Sequence, residues 1–361
     1  MSMNEKMTYW EALADDSRPK VLYGTGNGAD KIIDALSLYG VSVDGVFASN
    51  GFVRSRTFRD MPVLSYDQAK AEFGDNMIVL PAFGTTLPDV MEFFKYLDMH
   101  HEVIIPEVPL YGGGIFDSAY VSENREALEK VYGMLYDDVS REIFENVVSF
   151  RMTGKMQYLY PCESMRETLH VLLGEENIKV ALDGGAYKGD SAADMLASLP
   201  HVEKIYACEP DPSTFKKLTA FAESEDVKGR VVPVEAALSD RCGVAESVAS
   251  GSRGSGVEGR NKRAKIREIK LDTVDNILAG ERVDYIKLDV EGAELEAICG
   301  ASETLEKYRP IVSASLYHRT GDLISLPLVL AEKLGNVKMY LRRPECIPMW
   351  DLNLYVLPQD D

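Results

Sequence analysis

The chain has 361 residues, of which 45% are hydrophobic, more than one core usually organises, so two domains of roughly 100–200 residues each are expected. Its formal charge of −19 argues against nucleic acid and other polyanions, because neutralising phosphates takes Lys and Arg. No apolar run reaches the roughly 18 residues of a membrane span, the first residues hold no apolar export segment, and the five cysteines form no CxxC pair, so a cytoplasmic protein with reduced thiols is expected.

Residues 1–115 read as a Rossmann-like domain. The apolar runs KVLYG (20–24), VSVDGVFAS (41–49), MIVLPAF (77–83) and HEVIIP (101–106) alternate with ADKIIDALSLYG and LPDVMEFFKYLDM, whose apolar residues recur at helical spacing. Such alternation implies a parallel sheet with helices on both faces. Gly24, Gly26 and Gly28 lie between the first strand and the first helix. A dinucleotide site also wants an acid at the tip of the second strand, where Ala48-Ser49-Asn50 stand instead, which argues against NAD. The turn suits the anion of a nucleotide-sugar or sugar phosphate, held by helix N–H groups; a ligand-free packing domain is the equal alternative.

Residues 116–177 are charged and periodic and read as a helical linker, with the glycines at 112–114 marking a break before it. From 178 to 361 strand–helix alternation restarts, with KVALDGG, KIYACEP, VVPVEAAL, AKIREIKL, DYIKLDV and PIVSASL. The last runs, VKMYLRR and LNLYVLP, are too close for a helical crossover and should pair antiparallel. The basic stretch at 259–270 reads as a solvated hairpin edge, with a local anion site as the sharper alternative.

The turn DGGAYKGDS, Asp183 to Ser191, carries the chemistry. Gly184 and Gly189 have P-loop spacing, but Asp190 stands where the lysine must be, and GxGxxG spacing is absent. The turn therefore suits a ligand that is not strongly anionic. Glu209 ends the second strand of this half, where an acid can take both hydroxyls of a ribose, and Asp289 ends a later one. Strand C-termini of a parallel sheet share an edge, so Asp183, Glu209 and Asp289 should meet in one pocket. Each acid alone reads equally as a helix cap. Together they fit a ribose-bearing cationic nucleoside, which describes S-adenosylmethionine.

The motifs DGGAYKGDS, CEPDP, KLDTV, IKLDVEGAE and SLYHRTGDL together resemble the FkbM-type S-adenosylmethionine-dependent methyltransferases over about residues 130–357. The resemblance implies a seven-stranded sheet, mostly parallel with an antiparallel last hairpin, and O-methylation of a hydroxyl on a sugar or related metabolite. It implies cofactor contacts from Asp183, Gly185 and Ala186 with nearby Gly189, a ribose contact from Glu209, and an adenine border at Ala236, Ala237 and Asp240. Asp289 and Glu291 would lie near the reacting methyl, followed by Tyr317 and His318.

An alcohol loses a proton as it attacks, so a base within reach helps. His318, past a strand end, is the first candidate, with a structural capping histidine as the even alternative; Asp289 and Glu291 follow. Those two acids could instead hold a divalent cation, but two acids two residues apart are a weak signal, and no metal is expected. His100, His101, His170 and His201 read as structural or solvated. An amino acceptor is disfavoured because DVEG stands where an Asn/Asp-Pro-Pro-Tyr-like motif would be. A binding protein without chemistry is disfavoured because all three acids are intact. The expected partner is a small carbohydrate-type acceptor; a homo-oligomer is left open.

Overall fold

A computed structural model describes residues 7–49, 57–174, 176–249 and 265–360. The first half holds six strands: β1 (Lys20–Tyr23), β2 (Gly45–Phe47), β3 (Thr57–Phe58), β4 (Met61–Leu64), β5 (Ile78–Pro81) and β6 (Glu102–Val103). They form one sheet in the order β3-β4-β2-β1-β5-β6, parallel except for the β3–β4 pair. Strands β1 and β5 are buried throughout, as strands covered on both faces must be. The hairpin of β3 and β4 was not anticipated, since its residues carry no alternating pattern. Neither was the helix Tyr66–Phe73, started by a Ser65–Gln68 capping box.

The second half adds ten strands: β7 (Val180–Gly184), β8 (Lys204–Cys208), β9 (Val231–Val234), β10 (Ala237–Leu238), β11 (Gly243–Ala249), β12 (Lys265–Asp272), β13 (Tyr285–Leu288), β14 (Ile311–Ser315), β15 (Val337–Arg342) and β16 (Asn353–Pro358). Seven of them make a sheet in the order β15-β16-β14-β13-β7-β8-β9, in which only the pairings of β16 are antiparallel. One expectation is corrected. The run AKIREIKL is β12, and it does not enter this sheet but forms a small separate one, pairing antiparallel with β11 and parallel with β10. Five of its eight residues are charged, which suits a strand open to water, whereas strands buried on both faces read as continuous apolar runs. Residues 259–264 of the basic stretch lie outside the described residues.

The segment between the halves is not a spacer. Of its helices Ser118–Glu123, Arg125–Met134, Asp138–Thr153 and Met165–Leu173, the second and third bury Leu128, Val131, Phe144, Val147 and Phe150 in a hydrophobic cluster that also contains Val21 and Val79 of the first sheet and Ile286 and Val312 of the second, while the last buries Leu169 and Leu173 in another. Each such side chain contributes about 1.5–3 kcal/mol on burial. The longest helix starts at Asp137, whose carboxylate accepts from Ser140 N, and stops at Gly154 in the left-handed conformation. On it, Arg151 forms a buried 2.8 Å ion pair with Glu107 of the first half. All five cysteines are free thiols, and among the described residues no helix is long and apolar enough to cross a membrane.

Candidate active site

The chain runs outward from β7 to β8 and β9 and then returns to β13 on the other side, so the crevice at the carboxyl ends of β7 and β13 is the switch point where doubly wound sheets take ligands. A cleft of about 530 Å³ opens there, within the usual size of small-molecule sites.

One wall is the turn after β7. Gly185, Tyr187 and Gly189 all have left-handed backbone, at φ of +76°, +49° and +95°. A Cβ on Gly185 would overlap the carbonyl oxygen of Asp289, and one on Gly189 the ring of Phe221. Glycine is therefore required at both positions, and Gly185 brings the turn against the tip of β13. The side chain of Ala186 turns into the core, while Gly185, Tyr187, Asp190 and Ser191 line the cleft.

Glu209, at the tip of β8, also lines the cleft and accepts from Asp211 N at 2.8 Å. Burial pushes its carboxyl up to about 7. A group so placed exchanges its proton for a donor ligand near neutrality.

The floor holds a residue that the sequence reading passed over. Lys287 of β13 lies in register with Asp183 of β7 and Ser313 of β14. Its ammonium sits 3.1 Å from Asp183 Oδ1 and 3.9 Å from Asp289 Oδ2, and it donates to the carbonyls of Gly184 and Gly185. Burial opposes its charge, but the two carboxylates hold its pKa well above the ordinary lysine value. Asp183 is fully buried, accepts from Ser191 Oγ at 2.6 Å, and is not part of the cleft lining. Its charge serves Lys287 and the turn, so the picture of three open carboxylates meeting one ligand becomes two, Glu209 and Asp289, with Asp183 beneath them. The signal was present: a lone lysine in an apolar strand, two residues before an acid.

At the far end, the loop after β13 reverses sharply through Glu291 and Gly292, both with positive φ. Glu294 accepts from Val290 N at 2.8 Å, which closes the turn. Asp289 Oδ1 accepts from Ser315 Oγ at 3.0 Å and Tyr317 OH at 3.1 Å; Glu291 Oε2 accepts from Tyr111 OH at 2.7 Å. Burial favours the protonated form of Asp289, but Lys287 and His318 outweigh it and keep its carboxyl below the usual range.

His318 is buried, with Nδ1 2.9 Å from Glu294 Oε1 and Nε2 3.6 Å from Asp289 and 3.7 Å from Glu291. Burial alone would lower its pKa, yet the bond to Glu294 and the surrounding carboxylates raise it to about 9. In this arrangement the imidazole carries its proton at neutral pH, which corrects the expectation of a neutral ring ready to accept one.

The remaining wall comes from outside the second sheet. Gly84, Thr85, Thr86 and Leu110 of the first half face Trp350 and Asp351 on the connection between β15 and β16. Thr85 and Ile347 exchange backbone hydrogen bonds of 2.8 and 3.1 Å, and a Cβ on Gly84 would collide with the Trp350 ring. The indole N–H of Trp350 is buried without a hydrogen-bond partner. By contrast, Gly24, Gly26 and Gly28 lie outside the lining: Gly24 packs on Phe83, Gly28 on the carbonyl of Ala82, and only Gly26 is open. Ala236, Ala237 and Asp240 lie outside it too; Ala236 is buried, and exposed Asp240 pairs with Arg241.

Residues 183–343 match the methyltransferase FkbM domain family. Along nearly its whole length the chain is similar in structure to the methyltransferase FkbM of Methylobacillus flagellatus KT, with TM-score 0.71, 18% identity, and 98% of this chain and 95% of that one covered. An rRNA methylase of Streptococcus thermophilus overlaps 56% of this chain and 100% of its own at TM-score 0.36 and 13% identity. No curated protein matches the sequence.

Proposed function

We propose that this protein, whose residues 183–343 match the methyltransferase FkbM domain family, transfers a methyl group from S-adenosylmethionine to a hydroxyl of a sugar, nucleotide-sugar or related metabolite. The observation that carries the reading is the convergence on one cleft of the Gly185–Ser191 turn, Glu209 at one strand tip, and Asp289 with Glu291 at another.

The residues fit that cofactor. Gly185 and Gly189 let the turn pack against Asp289 and Phe221, which lays Gly185, Tyr187 and Ser191 along the cleft. Glu209 is a buried carboxylate that ribose hydroxyls can satisfy. The cleft is bordered by more acids than bases, with Asp190, Asp194, Glu209, Asp289, Glu291 and Asp351 against Lys287, which favours a cationic ligand. When bound, S-adenosylmethionine supplies a methyl on a positively charged sulfur, open to in-line displacement by an acceptor oxygen.

The chain's own work is positioning and proton handling. Asp289 and Glu291 are the carboxylates that take the hydrogen bond of the acceptor hydroxyl and hold its proton as the new bond forms. His318, already charged, fixes both carboxylates rather than serving as the first acceptor. Trp350, with Thr85 and Thr86, forms the acceptor wall: a sugar ring presents C–H groups that suit an aromatic face and hydroxyls that suit threonine and the unsatisfied indole N–H. The first domain thus contributes to acceptor recognition at this wall, rather than at its own glycine turn.

Calorimetric titration of the full chain with S-adenosylhomocysteine, NAD and UDP-sugars tests the cofactor. One S-adenosylhomocysteine should bind per chain and NAD should not. Incubation with S-adenosylmethionine and a sugar panel, read by mass spectrometry, should show a product heavier by one CH2. Absence of S-adenosylhomocysteine binding would overturn the reading.

A further inference from the structure

We infer that Tyr111, on the segment leaving the first domain, is a positioning residue that holds Glu291 as the proton acceptor of the cleft. This role rests on the methyl transfer proposed above. It selects between the two carboxylates and gives the first domain a part in the chemistry, since Tyr111 lies outside residues 183–343, which match the family.

The two acids differ in what they have free. Asp289 Oδ1 is taken by Ser315 Oγ and Tyr317 OH, and Lys287 stands 3.9 Å from Oδ2. Against burial, which favours protonation, Lys287 and His318 hold its carboxyl below the usual range, which makes Asp289 a poor proton acceptor. Glu291 is half exposed, lines the cleft, and is bonded at one oxygen only: Oε2 accepts from Tyr111 OH at 2.7 Å, while among the described residues Oε1 accepts no hydrogen bond. Its φ of +57° puts a non-glycine residue in the left-handed region, a costly conformation that persists only where the surroundings impose it.

Tyr111 is part of those surroundings. Its backbone N–H donates to the His318 carbonyl at 3.0 Å, and its ring meets the His318 ring edge-on at 5.8 Å between centroids. The ring also lies against Gly292, where a Cβ would come within 2.9–3.1 Å of its atoms. The segment is braced on both sides: Lys31, on the helix Asn27–Leu38 of the first domain, donates to the Leu110 carbonyl at 2.7 Å, and Thr320 Oγ1 to the Gly114 carbonyl at 2.9 Å. Burial and the Glu291 carboxylate push the Tyr111 phenol above its ordinary range. The phenol therefore stays the donor and fixes Oε2, which leaves Oε1 to the acceptor. In the transfer the acceptor oxygen takes the methyl carbon, the electron pair of the broken bond stays on the cofactor's sulfur, and the hydroxyl proton passes to Glu291 Oε1 and from there to water.

Two measurements on the full chain test this. In the first, Tyr111 is replaced by 3-fluorotyrosine and its phenol is titrated by ¹⁹F NMR without cofactor or acceptor. Glu291→Gln should lower the midpoint by about one pH unit or more, because the neighbouring charge is gone. In the second, turnover is measured with S-adenosylmethionine and the sugar of the panel that gives the largest product signal. Tyr111→Phe should lower kcat about 10–100-fold and leave S-adenosylhomocysteine affinity in calorimetry at the parent value. Glu291→Gln should lower kcat about 100-fold or more, and adding Tyr111→Phe to it should cost nothing further, whereas a tyrosine with a purely structural role would lower kcat again. Circular dichroism on each variant reports folding. Parent-level turnover in Tyr111→Phe, additive losses in the double variant, or a ¹⁹F titration indifferent to Glu291→Gln overturns the role of Tyr111 and leaves methyl transfer standing. A parent chain that binds no S-adenosylhomocysteine, or methylates no sugar of the panel, removes the proposed function and this role with it.

Discussion

Glu209 offers a test whose size follows from the structure. Burial at the tip of β8 pushes its carboxyl up to about 7, while a ribose diol, as donor, prefers the ionised form. If the cofactor binds that form, affinity grows as pH rises through 7. About a tenth of the group is ionised at pH 6 and nine-tenths at pH 8, so affinity should rise about tenfold, or ~1.4 kcal/mol, across that interval. The assay is calorimetry with S-adenosylhomocysteine at pH 6, 7 and 8, for the parent and for Glu209→Gln. The variant should lose the tenfold dependence and, at pH 8, bind weaker by about 1.5–3 kcal/mol. Subtracting the variant's profile removes titration of the ligand itself. The linkage to folding has the opposite sense: a carboxyl raised in the folded state stabilises it at low pH, and that contribution is lost as pH rises through 7. Equal pH profiles for parent and variant would refute both the placement of the ribose and the argument from burial.

Lys287→Met should destabilise the chain by about 3–5 kcal/mol, because it leaves Asp183 buried without a countercharge; urea unfolding reads this, and adding Asp183→Asn should restore part of the loss. Gly185→Ala should abolish S-adenosylhomocysteine binding in calorimetry, since its Cβ would overlap Asp289's carbonyl from a left-handed backbone; retained affinity would show that the turn is not the cofactor's. Gly84→Ala should displace the Trp350 ring. The chain has two tryptophans, and Trp10 is fully buried, so the displacement should appear as a red shift in emission.

Strand tips and turns were legible because they are local. An apolar run ending in an acid and followed by a glycine turn says where a strand stops, and parallel alternation says that such stops share an edge. That reasoning brought Glu209 and Asp289 to one cleft and anticipated the antiparallel end of the second sheet. The sequence also held a clue to Lys287, whose two-residue spacing from Asp289 in a strand puts both on one face.

What only the tertiary structure decided depends on neighbours distant in the chain. Sheet membership of β12 was decided by which partner lay beside it, and a run with five charged residues in eight fits the small sheet better than the double-covered one. The burial of Asp183 and its pairing with Lys287 depend on β7 and β13 lying in register across about a hundred residues. The charge of His318 depends on Glu294, Asp289 and Glu291, set around the ring by a tight turn. The wall made by Thr85 and Trp350 has no sequence signature, since it arises where two sheets meet. Composition and periodicity fix the conformation of each segment; hydrophobic burial of whole faces decides which segments meet, and the electrostatics of the site follow from that meeting.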